Sequence, residues 1–228
     1  MSGLFLSRLG LRRDAPVAAL AELLVPADPD ARLAASHRLL WSLFSDGAER
    51  RRDFLWREQG PGRFLALSRR PPNPLHDLFE IETRPFEPAL SVGDRLGFAL
   101  RANAVVSPRI AGAKRGRRAD VVMHALHALP KGEARREARA EAVLSAGRAW
   151  LAGQGGRHGF APEAEVGVDG YDSLRIPRDG RAPIRFGVLD FQGVLTVTDP
   201  TRFLGALSRG LGHARAFGCG LLLIRRVR

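Results

Sequence analysis

His37 stands between Ser36 and Arg38, four residues after Leu33 and four before Trp41. An imidazole titrates close to neutral pH, so it can take or give a proton. With Arg38 beside it to hold negative charge, the pair could move a proton and stabilise a phosphorane. The same spacing fits a histidine packed beside the apolar stripe of a helix, and spacing alone leaves both readings open. A second group lies near the C-terminus. Gly210-Leu-Gly-His-Ala-Arg-Ala-Phe-Gly-Cys-Gly220 sets four glycines in eleven residues, with His213 and Arg215 among them. Glycine permits positive φ and close backbone approach, so Gly210, Gly212, Gly218 and Gly220 read as a cradle for phosphates. They do not form a nucleotide P-loop. G-K-[ST] is missing, and the order is helix, loop, strand.

Two further clusters are basic. Arg175, Arg178, Arg181 and Arg185 surround a Pro-Arg-Asp-Gly turn. Alternate residues of a strand share a face, so a hairpin there can present arginines together to a nucleic-acid backbone. Charges also protect sheet edges, and a solvated edge hairpin reads the same way. Arg109 to Arg118 holds five basic residues and no acidic one, with Lys114, Arg115, Arg117 and Arg118 at its end. It reads as a mobile basic loop.

The whole chain supports an anionic partner. Its 228 residues carry 36 basic against 24 acidic side chains, a net charge of +12. Such an excess favours nucleic acid, an anionic membrane surface or an acidic protein. Only Lys114 and Lys131 are lysines. Arginine suits phosphate because its planar fork binds two oxygens at once and stacks on bases. The six histidines form no H-E-x-x-H pair, and Cys219 is the single cysteine, so no metal site and no cofactor are expected. No run is long enough for a transmembrane helix and no signal-peptide pattern opens the chain, so a cytoplasmic protein is expected.

These groups need positioning. Leu4 to Leu11 reads as a strand, and Asp30 as the N-cap of a helix reaching about Phe44. Asp53–Arg57 and Arg63–Ser68 read as a hairpin across Gly60-Pro-Gly62, and Phe79–Thr83 as an edge strand. Pro85 to Gly93 reads as a linker. Arg95–Arg101 begins a second unit, with a helix over Glu133–Leu151 and a loop over Gly153–Gly159. Short strands are expected at Ala164–Val168, Ser173–Ile176, Ile184–Phe191 and Val194–Thr198. Asp199 caps a last helix, Thr201–Arg209, with Pro200 at its first position, and Leu221–Ile224 closes the chain. The order is roughly βαββ(α)β twice. That predicts an α+β protein of two tandem ferredoxin-like (RRM-like) βαββαβ domains, 1–88 carrying His37 and 94–228 carrying the hairpin and the glycine loop.

Three stretches resemble the CasE-type endoribonucleases that process CRISPR repeat RNA in type I-E Cascade systems, within the repeat-associated mysterious protein superfamily. They are Ser36-His-Arg-Leu-Leu-Trp-Ser-Leu-Phe44 with Arg52-Asp-Phe-Leu-Trp56, then Leu100-Arg-Ala-Asn103, then the glycine loop preceded by Phe191-Gln-Gly-Val-Leu-Thr-Val-Thr-Asp199. They occur in the family's order over nearly the whole length. The resemblance implies a metal-independent cut at the 3′ base of a repeat stem-loop, leaving a 2′,3′-cyclic phosphate and a 5′-OH. It places His37 at the catalytic histidine and Arg38 at a basic residue found after it in some members. It implies RNA contacts from Arg101, His213, Arg215 and the stem-binding hairpin at Arg175, Arg178 and Arg181. It implies a repeat-hairpin partner, other Cascade subunits and a free monomer. The chain departs from the pattern at Ala34, where members often carry an assisting tyrosine, and at Ala104, where they carry proline.

Overall fold

The computed structural model describes residues 3–14, 17, 19–45, 47, 52–74, 78–108, 118–178 and 180–227. Two antiparallel sheets, each covered by helices, divide the chain.

The first sheet is built from β1 (Leu4–Leu11), β2 (Phe54–Gly60), β3 (Arg63–Ser68) and β4 (Phe79–Phe86) in the order β2-β3-β1-β4. Helices α1 (Ala21–Leu24) and α2 (Pro29–Phe44) join β1 to β2. The cap of α2 is Asp28 and not Asp30: its carboxylate accepts from the Ala31 N–H at 2.7 Å. Pro29 forces this, because proline has no N–H to donate and fits the first helical position. β4 continues past Pro85, which the pairing Phe5↔Pro85 keeps in register. An edge strand tolerates proline, so the linker starts later than the composition indicates. The described residues between Ser68 and Phe79 form no helix. Leu40, Leu43 and Phe44 of α2 pack on Leu9, Phe54, Trp56, Phe64 and Ala66 of the sheet.

The second sheet runs β11-β5-β10-β8, from β5 (Arg95–Ala102), β8 (Phe160–Pro162), β10 (Arg181–Val197) and β11 (Leu222–Arg226). β9 (Gly167–Arg178) also pairs with β10. Thus β8 and β9 share the second-strand position, and both sheets have the 4-1-3-2 order of a ferredoxin-like unit. Between β5 and β8 lie the short pair β6 (Val105–Val106) and β7 (Ala119–Asp120), then α3 (Val121–Leu126), α4 (Glu133–Glu137) and α5 (Arg139–His158). The helix expected over Glu133–Leu151 is therefore broken at Ala138 and runs seven residues further. Its glycines imitate a loop in the sequence. Gly155 is glycine because a Cβ there would strike the Phe160 carbonyl. The four short strands expected over 164–198 are two long ones. α6 (Pro200–Arg209) has the expected cap, Asp199, whose carboxylate accepts from the Arg202 N–H at 3.0 Å.

The halves meet through a small apolar seam. Leu55 and Leu67 from the outer face of the first sheet bury against Leu221, with Phe86 and Leu223 beside them. An ionic contact reinforces it. Asp190 on β10 accepts from Arg57 of β2 at 3.2 Å and also from Arg101 of β5.

Candidate nucleic-acid interface

His37 lies on the side of α2 that faces the C-terminal half. Its ring is 5.3 Å from Phe217 and 6.3 Å from Trp41, centroid to centroid. Phe217 belongs to a single 3-10 turn, Arg215–Phe217, inside the glycine loop. The neighbouring Ala216 carbonyl accepts from the Trp56 indole N–H at 3.1 Å, which pins the turn to β2. Burial holds the imidazole below its ordinary 6.5. The Ala216 carbonyl opposes this, while Arg52 and Arg38 add to it by repelling the imidazolium. At neutral pH the ring is therefore uncharged and able to accept a proton. Nδ1 is buried and has no hydrogen-bond partner among the described residues.

The glycine loop is shaped by the Leu100-Arg-Ala-Asn103 segment. The Asn103 carbonyl accepts from the His213 N–H at 3.1 Å, and the Arg101 carbonyl from the Gly220 N–H at 2.8 Å. The Asn103 side chain donates to the Gly187 carbonyl at 2.7 Å. Gly210, Gly218 and Gly220 are buried, and all four loop glycines have positive φ. A Cβ on Gly212 would sit 2.8 Å from the Asn103 carbonyl oxygen, and one on Gly220 would sit 2.7 Å from that of Leu211. Their part is to fold the loop tightly against the protein. The loop also brings side chains to the surface. His213 is exposed, and Arg215 is partly so.

Those side chains join a continuous basic stripe. Burial lowers the Arg52 guanidinium, and Arg215 lowers it further. Burial and then Arg209 do the same to Arg215. His213 is held down by burial, Arg118 and Arg215. His158 is held down by burial, Arg157, Arg209 and Arg215. Arg215 thus opposes the charge of Arg52, and Arg209 that of Arg215, while Arg38, Arg118 and Arg157 act on His37, His213 and His158.

The basic hairpin is docked beside α2. The Arg175 N–H donates to the Asp30 carboxylate at 3.1 Å, and Phe186 stacks on Phe217 with centroids 5.7 Å apart. Arg175 is paired in register with Arg185, and Arg178 with Arg181. All four are exposed. Arg101 is partly exposed and ion-paired, to Asp190 and to the exposed Asp172 at 3.5 Å. Lys114, Arg115 and Arg117 lie outside the described residues. Asp120 and the exposed His124 and His127 do not converge: Asp120 caps α3 and accepts from the Tyr171 hydroxyl at 2.9 Å. Among the described residues no cluster of His, Cys, Asp and Glu could hold a metal ion. Buried Cys219, its thiol pushed up to about 12 by burial, is a packing residue.

Sequence reasoning missed Arg52 and Phe217 as site residues. Both stand inside recognisable motifs, Arg52-Asp-Phe-Leu-Trp56 and the glycine loop. Nothing in spacing could show that these motifs meet, since the contact is made only when the two sheets dock.

Comparison with known proteins bears on the whole arrangement. The family described as CRISPR associated protein matches residues 4–226. The CRISPR-associated endoribonuclease Cse3 of Thermus thermophilus is 34% identical over 144 residues, which cover 62% of this chain and 60% of that protein. The matched stretch therefore spans less than two thirds of that relative's length. Thermus thermophilus Cse3 bound to an RNA representing a pre-cleavage complex superimposes with a TM-score of 0.65 at 27% identity, covering 98% of this chain and 99% of the other. The CRISPR-associated protein Cas6e of Escherichia coli shares the fold, with a TM-score of 0.62, 23% identity and coverage of 98% and 100%.

Proposed function

Because the chain belongs to the CRISPR-associated protein family, we propose that it binds the stem-loop of a CRISPR repeat RNA and cuts it once at the 3′ base of the stem, without metal. The observation that carries this is one partly buried histidine, packed on Phe217 of the C-terminal loop, whose imidazole is held below its ordinary pKa by burial with Arg52 and Arg38 acting on it. The fit to the RNA-bound Cse3 structure over nearly the full chain supports it.

The chemistry needs three things: an acceptor for a proton, charge stabilisation and an in-line hydroxyl. His37 accepts the proton of the 2′-hydroxyl. The 2′-oxygen bonds to the adjacent phosphorus, and the bond from phosphorus to the 5′-oxygen breaks. The departing 5′-oxygen takes up a proton. The products are a 2′,3′-cyclic phosphate and a 5′-OH, and proton count is conserved. Arg38 adds positive charge at the ring. The hairpin arginines Arg175, Arg178 and Arg181, with Arg118, His213 and Arg215, track the RNA backbone. The domain limits follow as 1–88 and 94–228. A cytoplasmic protein, monomeric when free and retained on its product with Cascade subunits, fits this reading. No helix of the described residues is long and apolar enough to cross a membrane.

A second reading is a repeat-binding subunit that does not cut. Ala34, 9% exposed, holds the place of the family's assisting tyrosine and offers no hydroxyl. Incubation of the protein with its own repeat hairpin in EDTA separates the two. One cut with a cyclic phosphate end supports the ribonuclease; tight binding with no product supports the subunit.

A further inference from the structure

Where β2 begins, α6 ends and the 3-10 turn passes, a small cleft is lined by Arg52, Arg69, Ser208, Arg209 and Arg215. Its one acidic lining residue, Asp53, is held by Arg70 at 3.1 Å. Arg52 and Arg215 are both partly buried, and no carboxylate pairs with either among the described residues. Arg215 Nε is turned back to the Gly212 carbonyl at 3.1 Å, which fixes the arm and leaves the outer edge of the fork available. Two partly buried guanidiniums line this one cleft, and burial opposes the charge of both, with Arg215 adding to the penalty on Arg52 and Arg209 to that on Arg215. An anion between them removes both penalties. A phosphodiester suits two planar forks, because each of its two free oxygens accepts from a guanidinium and its single charge is shared between them.

The cleft is also next to the proton acceptor. Arg52 acts electrostatically on His37, and Arg215 lies two residues from Phe217, whose ring contacts His37. Arg38 is exposed on the outer side of the helix. Resting on the ribonuclease reading above, we propose that Arg52 and Arg215, one from each half of the chain, clamp the scissile phosphate and carry the charge of the phosphorane. Arg38 is then a peripheral contact. The clamp closes only with the two halves docked, so the glycine loop serves to deliver Arg215 to its partner.

Single-turnover cleavage of the repeat hairpin tests this, with affinity read separately on a repeat carrying a 2′-deoxy nucleotide at the cut. Arg52→Ala and Arg215→Ala each slow cleavage about 100- to 1,000-fold, the loss usual for one group at a developing oxyanion. Affinity for the deoxy repeat falls less than about tenfold, and the slope of log affinity against log salt flattens by about 0.7 to 0.9. Arg52→Lys recovers at least about tenfold of the missing rate, because a point charge remains. Arg38→Ala slows cleavage about tenfold or less. The charged groups acting on His37 are Arg52 and Arg38. Removing Arg52 therefore moves the acid limb of the pH–rate profile to higher pH, which a purely structural role would not do. Thermal unfolding of each variant checks that it folds. Rates of Arg52→Ala and Arg215→Ala within about threefold of the parent would overturn the clamp. A parent protein that binds the repeat but leaves it whole would overturn the ribonuclease reading instead. The salt slope of Arg52→Ala then decides the clamp, and an unchanged slope overturns it.

Discussion

The His37 imidazole lies against the Phe217 ring, 5.3 Å between centroids at 52°, although one belongs to the first long helix and the other to the C-terminal loop. The site is a joint between two folded halves, and each half by itself holds only part of it. Asp190 ties the joint together by accepting from Arg57 and Arg101. Asp190→Asn takes the carboxylate from Arg57 and leaves Arg101 only the longer contact to Asp172. The expected loss is about 1.5 to 3 kcal/mol in urea unfolding, with slower cleavage. An unchanged midpoint would contradict this account of the joint.

The protonation state of His37 gives a pH signature. Its folded pKa lies below the ordinary 6.5, because burial disfavours the imidazolium. As a base it works neutral, so the single-turnover rate is flat from pH 7 to about 8 and falls below about pH 6.5. A rate that falls as pH rises through this range would show His37 acting chiefly as an acid.

The same shift carries a stability term of known sign. Between the folded and unfolded pKa values the unfolded chain binds the proton and the folded chain does not. Stability is therefore full above about 6.5 and declines as pH falls through the folded values. His158 and His213 are lowered too, so all three act in one direction. Chemical unfolding at stepped pH measures the sum. Replacing His37 by Gln removes its share and makes the acid decline shallower; an identical decline would contradict the shift.

The glycine loop predicts a steric result. Gly212 has φ of +76° and a Cβ position 2.8 Å from the Asn103 carbonyl oxygen. Gly212→Ala strains both, at about 1 to 3 kcal/mol. Cleavage falls with stability, since His213 and Arg215 follow it directly. A variant as stable and as active as the parent would show that the loop tolerates rearrangement.

Much of this is legible in the residues. The Asp199-Pro200 cap, the Gly60-Pro-Gly62 hairpin and the Arg178–Arg181 turn are local chemistry, and local chemistry survives folding. Sequence and structure part where tertiary contact overrides local preference. Gly153, Gly155 and Gly156 suggest a loop, yet α5 runs through them because Gly155 must pass the Phe160 carbonyl. Asp30 looks like the cap of α2 but binds Arg175 across the joint. Arg101 looks unpaired in the sequence, and only the strand pairing reveals Asp190 beside it. For Gly212 and Gly220 a sequence shows that the position needs glycine, not that the Asn103 and Leu211 carbonyls are the neighbours a Cβ would meet.

The hairpin tests the electrostatic reading. Arg175 and Arg185 are exposed cross-strand neighbours on the arm next to α2. Replacing either by alanine flattens the log–log salt dependence of repeat binding by about 0.7 to 0.9 for each phosphate left without its arginine. Cleavage of bound RNA changes little, because neither side chain lies at the ring. An unchanged slope in both would move the backbone contacts to Arg118 and the His213 side of the stripe.

The central claim is that His37 performs proton transfer in a metal-independent cut. Single-turnover cleavage of the repeat hairpin in EDTA by His37→Ala, with affinity measured on the 2′-deoxy repeat, tests it most directly. The account predicts a loss of about 100- to 10,000-fold in rate with affinity nearly unchanged. Cleavage by His37→Ala at the parent rate would contradict it.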